Sequence, residues 1–524
     1  MISSSFVCAI DAQAAANPSR VAFFNSHSES ITYAELRRLS DALACWISRN
    51  DSITPQVPLI VYGHKSPLML VCFLACAKSG HAYVAVDTIY PVERITSIAG
   101  QIGKTAVLDT ICDQSPLAGI ELGIPYFDVS GIVSAFTEDS SAYAAQAAEL
   151  AGVGQDDAFY VLFTSGSTGT PKGVVITTQC VDEFYRWTSH DFVGANDPVH
   201  IFYNRTPFSF DVSLTDMACG LTRGDTLFAL ESDADTSMRL AFEALHASNA
   251  TDWISTPSYV DQCLADPSFN AELMPNLKRM LVAGETLKPA TVLRVKERFP
   301  GIRFYNGYGP TESTDLVTTC EITDEMLASN KPLPIGYSKP NSTLVVLDPV
   351  TLVPVPNGSK GELFIIGETV AREYWERPEQ TQAAFHSCPD TLTQGRRSYR
   401  TGDEVTMEDD GLIYFHGRLD LQIKLHGYRI ELGDIESILC ALPQVRMACV
   451  LPVMRDGSIA HLTAVIVPTE AGARGFALTK ELKQLAKQSL PAYMIPSSFK
   501  YIDEMPLNPN GKADRKALAQ LIGE

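Results

Sequence analysis

Two periodicities alternate along most of the chain. Short β-branched and aromatic runs, Pro58–Tyr62, His81–Val86, Ala106–Leu108 and Tyr160–Phe163, are apolar at nearly every position rather than at every second one, as strands buried on both faces are. Between them lie helix-length stretches such as Tyr33–Arg49 and Pro67–Ser79, whose apolar positions fall on a helical spacing. This alternation predicts an α/β fold, with a large N-terminal domain of parallel sheets covered by helices. Near Gly361–Gly367 the pattern turns to short strands and turns, predicting a β-rich subdomain. Past Asp420 come a strand (Leu421–Leu425), a helix (Glu431–Leu442), two strands (Ala448–Met454, Leu462–Val467) and a second helix (Lys480–Leu490). That order predicts a small α+β domain of ordinary size. The expected division is 1–419 and 420–524.

Charge sharpens the same boundary. The whole chain carries −20, whereas Asp420–Glu524 holds 12 Lys and Arg against 11 Asp and Glu. The C-terminal part is therefore a different electrostatic object, with a partner surface of its own. So acidic a chain is not expected to bind nucleic acid. Its longest apolar run, Pro67–Ala77, is too short to cross a bilayer. The N-terminus has no basic stretch and meets Asp11 early, so no secretory leader is expected. Twelve Cys occur without a C-x-x-C pair, which fits core packing in a reduced, cytoplasmic compartment.

The segment Tyr160–Ile176, YVLFTSGSTGTPKGVVI, carries the sharpest chemical signal. A strand enters a Gly/Ser/Thr patch and leaves through Pro-Lys-Gly into a second strand. Gly166, Gly169 and Gly173 let backbone N–H groups converge, Thr164, Ser165, Ser167, Thr168 and Thr170 add hydroxyl donors, and Lys172 adds a charge. Converging donors without bulk suit a polyphosphate. The spacing is not that of a Walker loop, and a plain Ser/Gly turn is the alternative for the short core of the string.

Four further segments carry chemistry. Asn306–Glu312, NGYGPTE, is a stiff loop able to press backbone and the Tyr308 ring against a flat base, with Glu312 offering the hard oxygen Mg²⁺ prefers beside phosphates. Asp403 in YRTGD stands in a Gly turn where a carboxylate could accept from two ribose hydroxyls or simply close an Asx turn. Asp211 in FSFDVSLTD follows aromatic residues, and a carboxylate there needs a cationic partner such as an α-ammonium, or caps a helix. Lys512 in NPNGKADR lies on a Pro/Gly-rich loop. A cation on a long stem could bridge two anions being joined, whereas an isolated Lys is ordinarily just solvated.

Together these strings resemble the adenylate-forming superfamily of acyl-CoA synthetases, luciferases and nonribosomal-peptide adenylation domains. ITYAELRRLSDALA, HKSPLMLVCFLACAKSGHAYVAVD, GELFIIG and LPAYMIP fall in the same order, so the resemblance spans essentially the whole chain. It implies activation of a carboxylate by ATP with Mg²⁺, then transfer to a thiol. It implies nucleotide contacts from Thr164–Gly169, Lys172, Asn306, Gly307, Tyr308, Gly309, Pro310, Thr311, Asp403, Phe415 and Arg418, with Glu312 on the metal. Lys512 is implied as the catalytic cation, and Asp420 as the hinge of a mobile C-terminal lid. Asp211 matches the amino-group anchor of amino-acid-activating members.

Within the superfamily the chain is most similar to the D-alanine–carrier-protein ligases of teichoic acid modification, through YGHKSP, SGHAYVAVD, PFSFDVS, STPS and DLQIKLHGYRIEL. The implied substrate is a small amino acid, D-alanine first. Three positions depart: Ala283 stands where a Cys is usual, and Gly307 and Asp315 stand where larger neutral residues are usual. They imply a roomier pocket with an added anion, hence a substrate with a hydroxyl or second amine, or another small amino acid. With only 12 residues after Lys512 and no carrier domain, the acceptor is expected to be a separate phosphopantetheine carrier protein, or CoA. A stand-alone adenylation enzyme for another amino acid and an acyl-CoA synthetase are the alternatives.

Overall fold

The computed structural model describes residues 4–111, 115–136, 140–164, 171–189, 199–231, 237–329, 331–420, 422–455, 458–470, 474–507 and 513–521. The chain forms two compact units, Met1–Thr88, Ala99–Phe163 and Gly173–Leu419 in the larger, Ile89–Ile98, Thr164–Lys172 and Asp420–Glu524 in the smaller. The smaller unit thus takes in two short segments besides Asp420–Glu524.

The larger unit is α/β. Its nine-stranded sheet has six parallel strands in the order Arg303–Tyr308, Arg279–Val282, Asp252–Ser255, Ile201–Asn204, Thr226–Ala229 and Val21–Asn25, with antiparallel strands at both edges. A seven-stranded sheet contains a second parallel series around Leu59–Tyr62, Tyr83–Val86 and Val107–Asp109. Leu59–Tyr62 and Tyr83–Val86 are buried at every residue, which is why these segments read as unbroken apolar runs. A four-stranded antiparallel sheet built on Gly361–Gly367 and Ser398–Met407 is the β-rich part.

The smaller unit has a two-stranded ribbon, Gln422–Leu425 with Tyr428–Glu431, and a three-stranded sheet. In the latter, Val445–Arg455 and Ser458–Pro468 pair antiparallel, and Ser498–Tyr501 adds in parallel. Two strands, Tyr428–Glu431 and Ser498–Tyr501, have no counterpart in the sequence expectation. The final expected helix is displaced toward the N-terminus, running Phe476–Ala486, because Gly475 with φ 113° starts it and Pro491 follows soon after.

Three N-terminal helices, Ser5–Ala16, Tyr33–Arg49 and Pro67–Lys78, share one buried charge cluster. The fully buried Lys78 ammonium donates to Asp11 at 2.8 Å, Asp41 at 2.7 Å and Ser40 at 2.9 Å. Removing one side of such a cluster strands a charge away from water. Lys78→Met is therefore expected to cost about 3–5 kcal/mol in denaturant unfolding, and Lys78→Met/Asp41→Asn to recover much of that loss.

Candidate active site

In an open parallel sheet, ligands gather beyond the carboxyl ends of the strands. Asn204, Ser255, Ala283 and Tyr308 all stand at such ends of adjacent strands. Ala283 is buried and receives no bulk from its own side chain; its N–H donates to the Ser255 carbonyl at 3.0 Å. Asp211 sits just past the same edge as N-cap of the helix Val212–Gly220, accepting from the Val212 N–H at 3.0 Å. The helix N-terminus favours its negative charge. Its second oxygen, Oδ2, accepts the Thr311 hydroxyl at 2.6 Å. Asp211 is thus both a helix cap and the partner of the loop that follows Tyr308.

That loop is wound tightly. Thr314 and Asp315 both have φ 62°, a left-handed conformation that costs non-glycine residues about 1–3 kcal/mol each. Neighbours hold it: the Thr314 hydroxyl donates to the Thr369 carbonyl at 2.7 Å, Thr215 donates to the Asp315 carboxylate, and the Val317 N–H returns to the Tyr308 carbonyl at 2.8 Å. The turn brings the Asp315 carbonyl so close to Gly309 that a Cβ there would lie 1.7 Å from it. No other residue fits at Gly309.

Gly307 precedes Tyr308 on the same strand. A Cβ at this position would meet Leu316 Cδ2 at 3.1 Å and Cδ1 at 3.4 Å. Leu316 thus packs closely against the bare backbone of Gly307. Asp315 is buried, its carboxylate accepting from Thr215 on the helix that Asp211 caps.

Glu312 is fully buried, and its Oε1 accepts the Tyr374 hydroxyl at 2.6 Å. Tyr374 lies on a two-residue strand paired with Val174 in Lys172–Thr177, so the carboxylate is oriented from the strand that begins with Lys172. Tyr374 carries no sequence signal for this role. Thr164 ends the preceding strand, its hydroxyl 3.5 Å from the Lys172 carbonyl. Ser165, Gly166, Ser167, Thr168 and Gly169 lie outside the described residues, as does Lys512.

Asp403 is buried and takes the Tyr308 hydroxyl on Oδ2 and Arg418 Nη1 on Oδ1 at 2.8 Å. The Phe415 ring lies 6.4 Å from that of Tyr308, tilted by 34°. Burial, with the Asp403 carboxylate second, pushes the Tyr308 phenol well above its ordinary range, so it remains a donor. Asn306 donates to the Pro334 carbonyl at 2.7 Å, while its buried Oδ1 has no hydrogen-bond partner among the described residues. A buried acceptor left open in this way fits a ligand donor. Asp420 begins the C-terminal segment of the smaller unit and accepts from the Gln422 N–H at 3.0 Å.

Family models for the AMP-binding enzyme and the AMP-binding enzyme C-terminal domain match residues 10–375 and 434–512. The chain belongs to the AMP-binding enzyme family. This AMP-binding enzyme is similar to a D-alanine–D-alanyl carrier protein ligase of Bacillus cereus, 38% identical over 97% of this chain and 98% of the relative. A ligase of the same name from Bacillus licheniformis is 39% identical over 96% and 97%. Among solved structures, an NRPS protein containing adenylation and PCP domains superposes with TM-score 0.80 at 25% identity, covering 99% of this chain and 84% of that one. The o-succinylbenzoate CoA synthetase of Bacillus subtilis gives 0.82 at 18% identity, covering 99% and 98%, and shows the shared fold. Among the described residues, no helix is long and apolar enough to cross a membrane.

Two outcomes follow from the loop geometry of this AMP-binding enzyme. Gly309→Ala is expected to abolish AMP binding measured by calorimetry, because its Cβ would push the turn apart. Beneath the loop, fully buried Lys339 donates to the Leu316 carbonyl at 3.0 Å, and burial holds its ammonium down to about 7 from an ordinary 10.5. Between those values the unfolded chain binds more protons, so this group makes stability rise with pH, and its full penalty applies below about 7. Lys339→Met is accordingly expected to stabilise the protein in denaturant unfolding at about pH 6, with a gain that fades toward about pH 10.

Proposed function

We propose that this protein is an ATP-dependent, AMP-forming ligase that activates a small amino acid, D-alanine first, and passes it to a carrier-protein thiol. The observation that carries this reading is the Asp211 carboxylate, fixed by Thr311 at a helix N-terminus. A partly buried anion with one oxygen oriented by a hydroxyl is what an α-ammonium requires, and fatty or aryl acids have no use for it. The D-alanine–D-alanyl carrier protein ligases similar to this chain over nearly its whole length support the same substrate and acceptor.

In the first half-reaction the substrate carboxylate attacks the α-phosphorus of ATP. The new P–O bond forms as the bond to the β-phosphate oxygen breaks, and pyrophosphate leaves. The open Asn306 Oδ1 suits the adenine amino group, with Tyr308 and Phe415 against the ring. Asp403 and Arg418 serve the ribose, and Thr164–Gly169 with Lys172 cradle the phosphates. Lys512 bridges the carboxylate and the α-phosphate, two anions whose approach is otherwise repulsive. Glu312, a single carboxylate aimed by Tyr374, matches the sparse protein ligation typical of Mg²⁺ on substrate phosphates, and would hold an ion that offsets phosphate charge.

In the second half-reaction residues 420–524 act as a lid that turns about Asp420 on the 1–419 core. The phosphopantetheine thiol of a separate carrier protein attacks the acyl carbon, a C–S bond forms, AMP leaves and the thiol proton goes to solvent. ATP and reduced thiols place this chemistry in the cytoplasm. Asp315 favours a second reading of the substrate alone: a small amino acid with a hydroxyl or second amine to meet the added carboxylate.

The test is amino-acid-dependent pyrophosphate exchange across D- and L-amino acids. A maximum with D-alanine is the expected result; a maximum with a hydroxylated or diamino acid selects the Asp315 reading, and exchange with no amino acid rejects both. Lys512→Ala is expected to lose exchange far more than transfer of preformed aminoacyl-AMP to the thiol, and equal losses would remove Lys512 from its role.

A further inference from the structure

Asp211 is delivered by an irregular segment, 205–211, which leaves the strand Ile201–Asn204 and enters the helix Val212–Gly220. One buried cation governs its course. Lys65 lies between Leu59–Tyr62 and Pro67–Lys78 of the other sheet system and has no exposed surface. Its ammonium donates to Asn204 Oδ1 and to the Thr206 carbonyl, and stands 4.2 Å from the centre of the Phe208 ring. Asn204 then passes the link on, its amide donating to Asp216 Oδ2 at 2.6 Å on the helix that Asp211 caps. The other Asp216 oxygen has no hydrogen-bond partner among the described residues.

An ammonium in this place is costly. Burial pushes the Lys65 ammonium below its ordinary range against the pull of Asp216, Asp87 and Glu231, with Arg205 opposing them, and pushes the Asp216 carboxyl up. A methionine would fill a similar volume without that cost. What only the ammonium supplies is two directed hydrogen bonds, to Asn204 and Thr206, and a charge over the Phe208 ring, with a further grip on the helix through Asn204.

We propose that Lys65 is a positioning residue for amino-acid recognition: acting through Asn204, Thr206 and Phe208, it fixes where Asp211 meets the substrate ammonium. This rests on the reading of Asp211 given above. Lys65 touches no substrate; its effect is on one substrate's binding and not on the nucleotide's.

The experiment measures pyrophosphate exchange by the full chain with the amino acid giving the highest parent activity, D-alanine first, varying amino acid and ATP separately. Lys65→Met removes the cation but strands Asp216, so Lys65→Met/Asp216→Asn, which removes both charges, is the deciding variant. It is expected to melt within a few degrees of the parent and to raise the amino-acid KM about tenfold, with the ATP KM within about twofold. Asp216→Asn alone, nearly isosteric, is expected to raise the amino-acid KM about threefold. An unchanged amino-acid KM in folded variants, or equal rises for both substrates, would overturn the positioning role. A parent without amino-acid-dependent exchange would defeat the Asp211 reading itself, and this proposal with it.

Discussion

The hydrogen bond from the Thr311 hydroxyl to Asp211, 2.6 Å long, joins two parts of the site that are a hundred residues apart in sequence. On one side is the loop that begins with Tyr308 and carries Glu312. On the other is the helix Val212–Gly220, which Asp211 caps. A shift of the loop moves the carboxylate, and a shift of the helix moves the loop. Thr215 repeats the link one turn further along, to Asp315. On the proposed reading, recognition of the amino acid and of the nucleotide would be tied to one rigid arrangement, of the kind catalysis by positioning demands.

The arrangement is held by groups that cost stability. Left-handed Thr314 and Asp315, and the buried Lys65, Lys339 and Glu312, are each unfavourable in isolation. They persist because hydrogen bonds from several elements converge on them: Thr369 on Thr314, Tyr374 on Glu312, and Lys65 itself on Asn204 and Thr206. The Lys78 cluster, where three helices meet, is a second buried charge group, held by Asp11, Asp41 and Ser40.

The α/β framework was legible in the sequence because doubly buried strands are apolar at every position, and Leu59–Tyr62 and Tyr83–Val86 fall where their runs predict. Asp211, Glu312 and Asp403 were legible as candidates because each sits in a short string with its own chemistry. The partners of these residues were not. Tyr374 reaches Glu312 through a strand pairing distant in sequence, Lys65 reaches Asn204 from a turn of the other sheet system, and Thr215 meets Asp315 a hundred residues away only in the fold. Strands Tyr428–Glu431 and Ser498–Tyr501 escaped notice because they are four residues long and mixed in polarity.

The most direct measurement is kcat/KM for D-alanine in pyrophosphate exchange by Asp211→Asn, beside the Kd for ATP. If Asp211 receives the α-ammonium, this nearly isosteric change removes the charge and keeps the Thr311 contact, lowering kcat/KM on the order of 100-fold with ATP affinity unaltered. An undiminished kcat/KM would contradict it.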